Sequence, residues 1–307
     1  MTPSSSNPLR IGTRSSPLAL AQAEMTKAAL LAAHGWDEAA IILVAMLSSG
    51  DKIQDRPLAE IGGKALWTKE LERALLDREI DIAVHSMKDV ETVRASIFGI
   101  VAMLPRADVR DRLIGAESIA ALPQGAKVGT SSPRRAAQLK ALRPDIITDS
   151  IRGNVATRLS KVENGEFDAT LLAAAGLARL GQGNIGTAIE TSEMLPAASQ
   201  GAIGIDYLVE RSEIAALMVP INHPATFACV MAERAFLEAL GGTCHSPVAA
   251  QAVWHGDILT LQGEILREDG SEREQGSITC KPGDQLAPAL LARQLLDAAT
   301  PELRALF

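Results

Sequence analysis

The chain has 307 residues, of which 47% are hydrophobic and 22% charged, a balance typical of a globular protein with two or three domains. A net charge of −7 and an aromatic content of 3% argue against a nucleic-acid-binding protein, which needs basic patches and stacking rings. Three cysteines without a CxxC pair, a polar N-terminus and only short apolar runs predict a soluble, cytoplasmic protein without a membrane span.

The first part of the chain alternates strand and helix patterns. The predicted elements are a strand at 9–13, a helix from Pro17 to near Gly35, a strand at 41–47, a helix over about 66–76 and a strand at 81–86. Helices of this length between strands favour parallel sheets with helices on both faces. With a further strand at 202–209, they predict an α/β lobe formed by residues 1–104 and 201–219.

A second alternating run predicts another α/β lobe, over residues 105–200. Its predicted elements are strands at 126–130, 145–151 and 168–174, with helices that begin near Pro133 and Asn154 and a further helix after the last strand. From residue 220 the pattern changes to a helix, three strands of period two and a last helix. Residues 220–307 are therefore predicted to form a small α+β domain.

Cationic residues follow several of the predicted strands, where ligands bind in open α/β sheets. They are Arg14 with neighbouring Ser16, Lys88 beside Asp89, Arg134 and Arg135 after Ser132, and Arg152 with Arg158. Arg134 and Arg135 fall in a first helical turn, where the dipole disfavours each cation by roughly 0.3–1 kcal/mol. One such junction taken alone is also consistent with a solvated pair of arginines at the surface. The recurrence of cations at several strand ends predicts a ligand that carries carboxylates or phosphates.

Two residues have competing interpretations. Asp89 either pairs with Lys88, which position alone favours, or stabilises a cation that develops in the substrate. Cys244 lies in the loop LGGTCHSPVAA (240–250) and is a packing residue, a nucleophile or a covalent attachment point. The adjacent His245 is a poor base for this thiol, and no cysteine or histidine spacing predicts a metal. Cys229 and Cys280 are predicted to be buried packing residues.

Several segments together resemble the porphobilinogen deaminase family, also called hydroxymethylbilane synthases. They are HSMKD (85–89), VGTSSPRR (128–135), IRGNVATRLSKVENGEFDA (151–169), AAGLARLG (174–181) and GGTCHSPV (241–248). The resemblance implies a transferase that condenses four porphobilinogen molecules head to tail into hydroxymethylbilane, a linear tetrapyrrole, and releases ammonia at each step. It also implies two α/β lobes like those of solute-binding proteins and a third, α+β domain.

The resemblance implies roles for individual residues. A dipyrromethane cofactor is attached to Cys244 through a thioether, and Asp89 is the catalytic residue, stabilising a cationic azafulvene-like intermediate. The residues implied to contact the cofactor are Lys88, Asp89, Thr130, Ser132, Arg134, Arg135 and Arg158. Those implied to bind the substrate or the growing chain are Arg14, Ser16, Arg152, Arg179 and Gln200.

The chain departs from the common family pattern at a few positions, namely Trp67, Glu91, Pro133, Ser199 and Thr243. None of these changes removes a charged site residue or the thiol, so they are expected to affect loop geometry and rate. A carboxylate-capturing solute-binding protein and a thiol hydrolase are the alternatives; the Cys244 loop disfavours the first, and the lack of a base disfavours the second. A monomer that binds porphobilinogen, with no nucleic-acid or membrane partner, is expected.

Overall fold

The computed structural model describes residues 2–47, 68–241 and 246–307, which form two five-stranded sheets and one three-stranded sheet. The chain divides into two compact units, Met1–Ala107 with Ala202–Phe227 and Asp108–Gly201 with Ala228–Phe307. The mixed α/β class with two sheet lobes and a small C-terminal sheet is confirmed. Because the third sheet belongs to the second unit, the division into three domains stays a prediction.

The elements are numbered in chain order. The strands are β1 (Leu9–Arg14), β2 (Ile41–Met46), β3 (Ile82–Ser86), β4 (Phe98–Met103), β5 (Asp111–Ile114), β6 (Lys127–Gly129), β7 (Ile147–Asp149), β8 (Ala169–Ala173), β9 (Thr187–Ala188), β10 (Ile203–Leu208), β11 (Val248–His255), β12 (Ile258–Leu266) and β13 (Arg273–Cys280). The α-helices are α1 (Pro17–His34), α2 (Lys69–Leu76), α3 (Pro133–Leu142), α4 (Val155–Glu163), α5 (Ala174–Arg179), α6 (Ser212–Met218), α7 (Pro224–Ala239), α8 (Leu286–Ala298) and α9 (Pro301–Arg304). The sequence patterns identified most of these elements but missed β4, β5, β9, α6 and α9.

The first sheet has the strand order β2-β1-β3-β10-β4. Strands β1, β2 and β3 are parallel, whereas β10 runs antiparallel to both β3 and β4. The prediction of parallel strands is confirmed for β1, β2 and β3 but is wrong for β10. Strand β10 enters this sheet after residues 108–201 have formed part of another unit, so no helical crossover forces it to lie parallel to its neighbours.

The second sheet has the strand order β7-β6-β8-β5-β9. Strands β6, β7 and β8 are parallel, and β5 is antiparallel to β8 and β9. Both five-stranded sheets thus place parallel neighbours side by side, with their carboxyl ends at one edge. This arrangement decides where the residues that follow β1, β3, β6 and β7 lie.

Local signals in the sequence explain how helix α1 begins and ends. Ser16 caps its first turn by accepting a hydrogen bond from the Ala19 amide, Pro17 occupies the first helical position, and Gly35 closes it in the left-handed conformation. Leu30 of this helix packs into the core of the first unit. The helix predicted from these signals is confirmed.

The third sheet is antiparallel, in the order β11-β12-β13, and packs against α7 and α8. Phe236 fills the space over Gly263, where an added Cβ would collide with its ring. Cys229 and Cys280 are buried in the same hydrophobic core, and burial raises the pKa of the Cys280 thiol. Their prediction as packing residues is confirmed.

Among the described residues, no single helix has the length and apolar composition needed to cross a membrane. One bent pair, Ser212–Ile221 with Pro224–Ala239, passes that test when its helices are taken together, on length and composition only. The longer member of the pair contributes the buried side chains of Val230 and Phe236 to the protein core.

Ser199 adopts a φ of 67°, in the left-handed region that glycine accepts without strain. The amide of this residue donates a 2.6 Å hydrogen bond to the carboxylate of fully buried Glu233, which also accepts from the Ala252 amide. These contacts hold the backbone in a conformation that costs an L-residue about 1 kcal/mol. Serine at this position, one of the departures from the common family pattern, is therefore a source of backbone strain.

We expect Ser199→Gly to be more stable than Ser199→Ala by about 1 kcal/mol, because only alanine retains the steric cost of the positive φ. Urea unfolding of both variants measures the difference. Ser160 in helix α4 is the matched control, where the order should reverse and alanine should be favoured over glycine by about 1 kcal/mol. The same order at both positions would show that the Ser199 backbone is not strained.

Candidate functional site

Three of the predicted site residues meet around one pocket in the first unit. Arg14 ends β1, Ser16 caps α1, and Asp89 ends the short 3-10 turn Met87–Asp89 that follows β3. The other lining residues are Leu18, Ala19, Gln22, Thr68, Val84, His85 and Ser86. Because β1 and β3 are parallel neighbours, their carboxyl ends open at the same edge of the sheet, as predicted from the sequence.

Hydrogen bonds hold the lining of this pocket in place. The Gln22 side chain donates a 2.7 Å hydrogen bond to Ser86 Oγ and so joins α1 to the end of β3. Ser16 Oγ accepts from the Ala19 amide at 3.3 Å, which leaves its hydroxyl hydrogen available for an acidic ligand. Capping the helix and donating to a ligand are therefore compatible roles for Ser16. Lys88 lies half-buried in the same turn as Asp89.

In the second unit, the junction between β6 and α3 has the predicted cap. Ser132 accepts from the Arg135 amide, and Pro133 starts the helix. The Ser131 hydroxyl donates a 2.7 Å hydrogen bond to the Ile151 carbonyl, which ties the loop after β6 to the loop after β7. Thr130 is buried, and its hydroxyl accepts from the Ser132 amide at 3.2 Å. The hydroxyl-bearing loop and the loop that leads to Arg152 are thus joined.

Arg134 and Arg135 are buried and share one carboxylate. Nη2 of Arg134 lies 2.7 Å from Asp111 Oδ2, and Nη2 of Arg135 lies 2.6 Å from Asp111 Oδ1. Their exposed fractions are only 3% and 7%, so neither is a solvated surface arginine. The anion that two cations at a helix N-terminus require is therefore part of the chain, and the expectation that a ligand must supply it is wrong.

The contacts of Asp111 extend into a larger buried network, which we name the Asp111 cluster: Asp111, Arg134, Arg135, Gln138 and Gln200. The Gln200 side chain donates to Asp111 Oδ1 at 2.8 Å. Arg134 donates to Gln138, whose amide nitrogen donates to Glu264 on β12 at 2.7 Å. The cluster therefore fastens α3 to β5, to the loop before β10 and to the third sheet, all within the second unit.

Opposing effects set the ionisation of the cluster. Burial by itself would raise the pKa of Asp111, but the adjacent charges of Arg134 and Arg135 outweigh it and hold that pKa well below its usual range. Burial raises the pKa of Glu264, although Arg273 and Gln138 partly oppose the shift. Asp111 is thus a permanent anion at neutral pH, held between two cations.

Arg179, at the C-terminal end of α5, is a desolvated cation. Burial lowers the pKa of its guanidinium to about 10. Its Nη2 donates to the neutral Gly201 carbonyl at 2.6 Å, and within the described ranges its buried Nε has no acceptor. A carboxylate placed beside Arg179 would therefore offset an electrostatic cost that the fold already bears.

Arg158 lies on helix α4, which begins after the Asn154 cap. Its Nε donates to the Gly153 carbonyl at 3.0 Å, and Gly153 has a φ of 106°, which suits glycine. Arg152 directly precedes this turn and is half-buried. Both arginines therefore follow β7, at the parallel edge of the second sheet.

Some predicted positions cannot be placed. Cys244 and Thr243 lie outside the described residues, and so does Trp67.

The described residues fit a ligand with several carboxylates, because they offer hydroxyl and guanidinium donors and include the desolvated Arg179. Sequence reasoning missed Asp111, for which the only signal was an acid between two arginines in the segment VRDR (109–112).

Two family models match consecutive parts of the chain. Residues 9–216 match a model described as "Porphobilinogen deaminase, dipyromethane cofactor binding domain", and residues 227–296 match "Porphobilinogen deaminase, C-terminal domain". A curated protein from Sphingopyxis alaskensis named porphobilinogen deaminase is 56% identical over 98% of this chain and 97% of its own length. A protein of the same name from Paracoccus denitrificans is 52% identical over 88% of this chain and 87% of its own.

Asp111→Asn is expected to lower the free energy of unfolding at pH 7 by about 3–5 kcal/mol, because it leaves two buried guanidinium groups without a counter-ion. The pKa of Asp111 is lowered on folding, so its contribution is present above the ordinary value of 3.8 and is lost as the pH falls below it. Urea unfolding at neutral and acidic pH measures this effect. The difference in free energy of unfolding between wild type and variant should be smaller at acidic pH than at neutral pH.

The matched control is Asp108→Asn, since Asp108 pairs with Arg110 at the surface of the same unit. This change should cost less than about 1 kcal/mol, because solvent screens an exposed pair. Equal losses of stability in the two variants would contradict the role of the Asp111 cluster.

Proposed function

This chain belongs to the porphobilinogen deaminase family, and we propose which of its residues carry out the family's reaction. The enzyme joins porphobilinogen molecules head to tail, four in each linear tetrapyrrole, with release of ammonia at each step and a dipyrromethane cofactor as the primer. The substrate and the cofactor both carry acetate and propionate side chains, so the binding residues must supply cationic and hydroxyl donors. This activity replaces the two alternatives of a solute-binding protein and a thiol hydrolase.

We propose that the pocket formed by Arg14, Ser16 and Asp89 binds the reacting pyrroles. The observation that carries this assignment is the convergence of a cation, a hydroxyl and a carboxylate from two parallel strand ends on one cavity. The Arg14 guanidinium and the Ser16 hydroxyl would bind a ligand carboxylate. The Asp89 carboxylate would accept pyrrole N–H groups and stabilise the positive charge that develops as ammonia departs.

In the second unit, we assign Arg152, Arg179 and Gln200 to the substrate or the growing chain. Arg179 gives this assignment its main support, because its Nη2 binds only a neutral carbonyl and its buried Nε has no acceptor among the described residues. The Gln200 amide nitrogen already donates to Asp111 and to the Val109 carbonyl, so Gln200 would act mainly by positioning its loop.

We assign the following residues to contact with the cofactor: Lys88, Asp89, Thr130, Ser132, Arg134, Arg135 and Arg158. When bound, the dipyrromethane supplies the pyrrole end to which substrate units are joined. Arg134 and Arg135 fit this role as a preorganised pair, since their shared Asp111 leaves one net positive charge among the three groups. Cys244 would anchor the cofactor through a thioether, because a loop thiolate is the nucleophile that this linkage needs.

We also propose that the protein acts as a monomer in the cytoplasm, without a nucleic-acid or membrane partner. Its net charge of −7 supports the absence of nucleic-acid and membrane partners, because a negative protein is repelled by nucleic acids and anionic lipids. Light scattering of the purified protein tests the monomer, and a dimer mass at micromolar concentration would contradict it.

Asp89→Asn should keep the fold and lower kcat by at least about 100-fold, because the amide cannot balance the developing positive charge. Ammonia release from porphobilinogen measures the rate, and the mass of the purified variant shows whether the cofactor is retained. Asp77→Asn, at the exposed end of helix α2, is the control and should leave kcat unchanged. Near-normal turnover by Asp89→Asn would refute the assignment.

Intact mass under denaturing conditions tests the anchor. The wild type should carry an excess equal to two linked pyrrole units on the peptide that contains Cys244, and Cys244→Ser should carry none. Cys280→Ala is the control, since this cysteine is buried in the core and should not affect attachment. An adduct that persists in Cys244→Ser would place the linkage elsewhere.

A further inference from the structure

His85 lines the same pocket as Asp89 but has no role in the assignments above. Its side chain is buried, and its Nε2 lies 3.2 Å from Oδ2 of Asp206 on the neighbouring strand β10. Asp206 is fully buried and also binds Arg94 at 2.6 Å, which in turn pairs with Glu72 at 3.0 Å. A carboxylate therefore lies within ion-pair distance of one nitrogen of an imidazole that lines the pocket.

The chemistry of the condensation requires a proton acceptor. A carbon–carbon bond forms between the aminomethyl carbon of one porphobilinogen and the free α-carbon of the pyrrole at the chain end. Ammonia leaves with the electron pair of the broken C–N bond, and the α-C–H bond then breaks to restore the aromatic ring. The departing α-proton needs a base within reach.

A base other than Asp89 would suit that step. Asp89 is assigned to balance the positive charge of the reacting pyrroles, and a separate proton acceptor lets it stay ionised through each addition. Among the described residues that line the pocket, His85 is the other proton acceptor of moderate basicity. The His85–Asp206 pair also has the form of a base held by an orienting carboxylate.

We propose that His85 is a catalytic base, which accepts the α-proton at Nδ1 and passes it to the departing ammonia. The balance closes, because the α-proton lost from carbon is the proton that converts ammonia into ammonium. Asp206 is a positioning residue that holds the ring through Nε2. This inference rests on the proposed placement of the reacting pyrroles beside Asp89.

Charged groups lie on both sides of His85. Among the described residues, Asp206 beside the ring and Asp89 on the pocket wall are negative. Arg14 on the pocket wall and Arg94 behind Asp206 are positive, and Glu72 pairs with Arg94. The two carboxylates would stabilise the imidazolium that forms when the ring accepts the proton.

His85→Gln tests the role, because glutamine can still donate to Asp206 but cannot carry a proton. We expect kcat to fall about 100-fold, with KM changed by less than about threefold. Porphobilinogen deuterated at its free α-carbon should show a primary isotope effect in the variant, because breaking the C–H bond then limits the rate. A loss of rate caused by damaged packing would slow all steps without producing that effect.

His255→Gln, at the exposed end of β11, is the matched control and should leave kcat and the isotope effect unchanged. Wild-type kcat in His85→Gln, or a reduced kcat without the isotope effect, would overturn the proposal. If His85→Gln does not fold, the alternative experiment adds imidazole to His85→Ala and measures whether activity returns. Failure of imidazole to restore activity would count against His85 as the base.

A second measurement does not depend on turnover. Nitrogen NMR of the imidazole in the purified protein should find the proton on Nε2 and Nδ1 unprotonated at neutral pH. A proton fixed on Nδ1 would overturn the proposal. Asp89→Asn is assayed in parallel: if it is inactive while His85→Gln is normal, only the role of His85 fails, whereas normal Asp89→Asn activity would refute the pocket itself.

Discussion

The second unit depends on one buried carboxylate shared by two arginines. Removing Asp111, Arg134 and Arg135 from water is costly, and the cost is recovered only because both guanidinium groups bind the same anion at 2.6–2.7 Å. Once that geometry is set, α3 cannot shift relative to β5 without breaking charge-assisted hydrogen bonds. The Asp111 cluster therefore gives the arginines fixed positions before any ligand arrives, which is a condition for electrostatic catalysis and tight anion binding.

The segment from Ser199 to Gly201 depends on the same constraint. Ser199 donates its amide to buried Glu233, Gln200 donates to Asp111, and the Gly201 carbonyl accepts from Arg179. Three consecutive residues thus connect a strained backbone, the buried anion and a desolvated cation. The strain at Ser199 is tolerated because the surrounding hydrogen bonds determine the backbone on both sides.

The two units carry different sets of side chains. The first supplies a pocket in which a carboxylate and an imidazole lie close to a guanidinium and a hydroxyl, a set suited to managing positive charge and protons. The second supplies arginines and hydroxyls at the parallel edge of its sheet, a set suited to binding the carboxylates of a lengthening chain. Each added pyrrole brings two more carboxylates, so the demand for cations grows as the reaction proceeds.

Short-range signals were sufficient for the helix starts and the parallel strand ends. The helices predicted to begin near Pro17, Pro133 and Asn154 do begin there, and Ser16, Ser132 and Asn154 cap them, because a cap involves only residues three or four apart. The alternation of strands and helices likewise determined the fold class. The family motifs determined the activity, since they carry the reactive groups themselves.

Tertiary structure alone decided which charges meet. Asp111 lies in β5, a strand without clear periodicity, and Asp206 faces His85 only because β10 enters the first sheet antiparallel. Neither pairing has a local signature, since both partners are brought together by strand order and not by spacing along the chain. The amino-acid sequence therefore identified the cations, whereas the fold determined that a buried carboxylate, and not a ligand alone, balances Arg134 and Arg135.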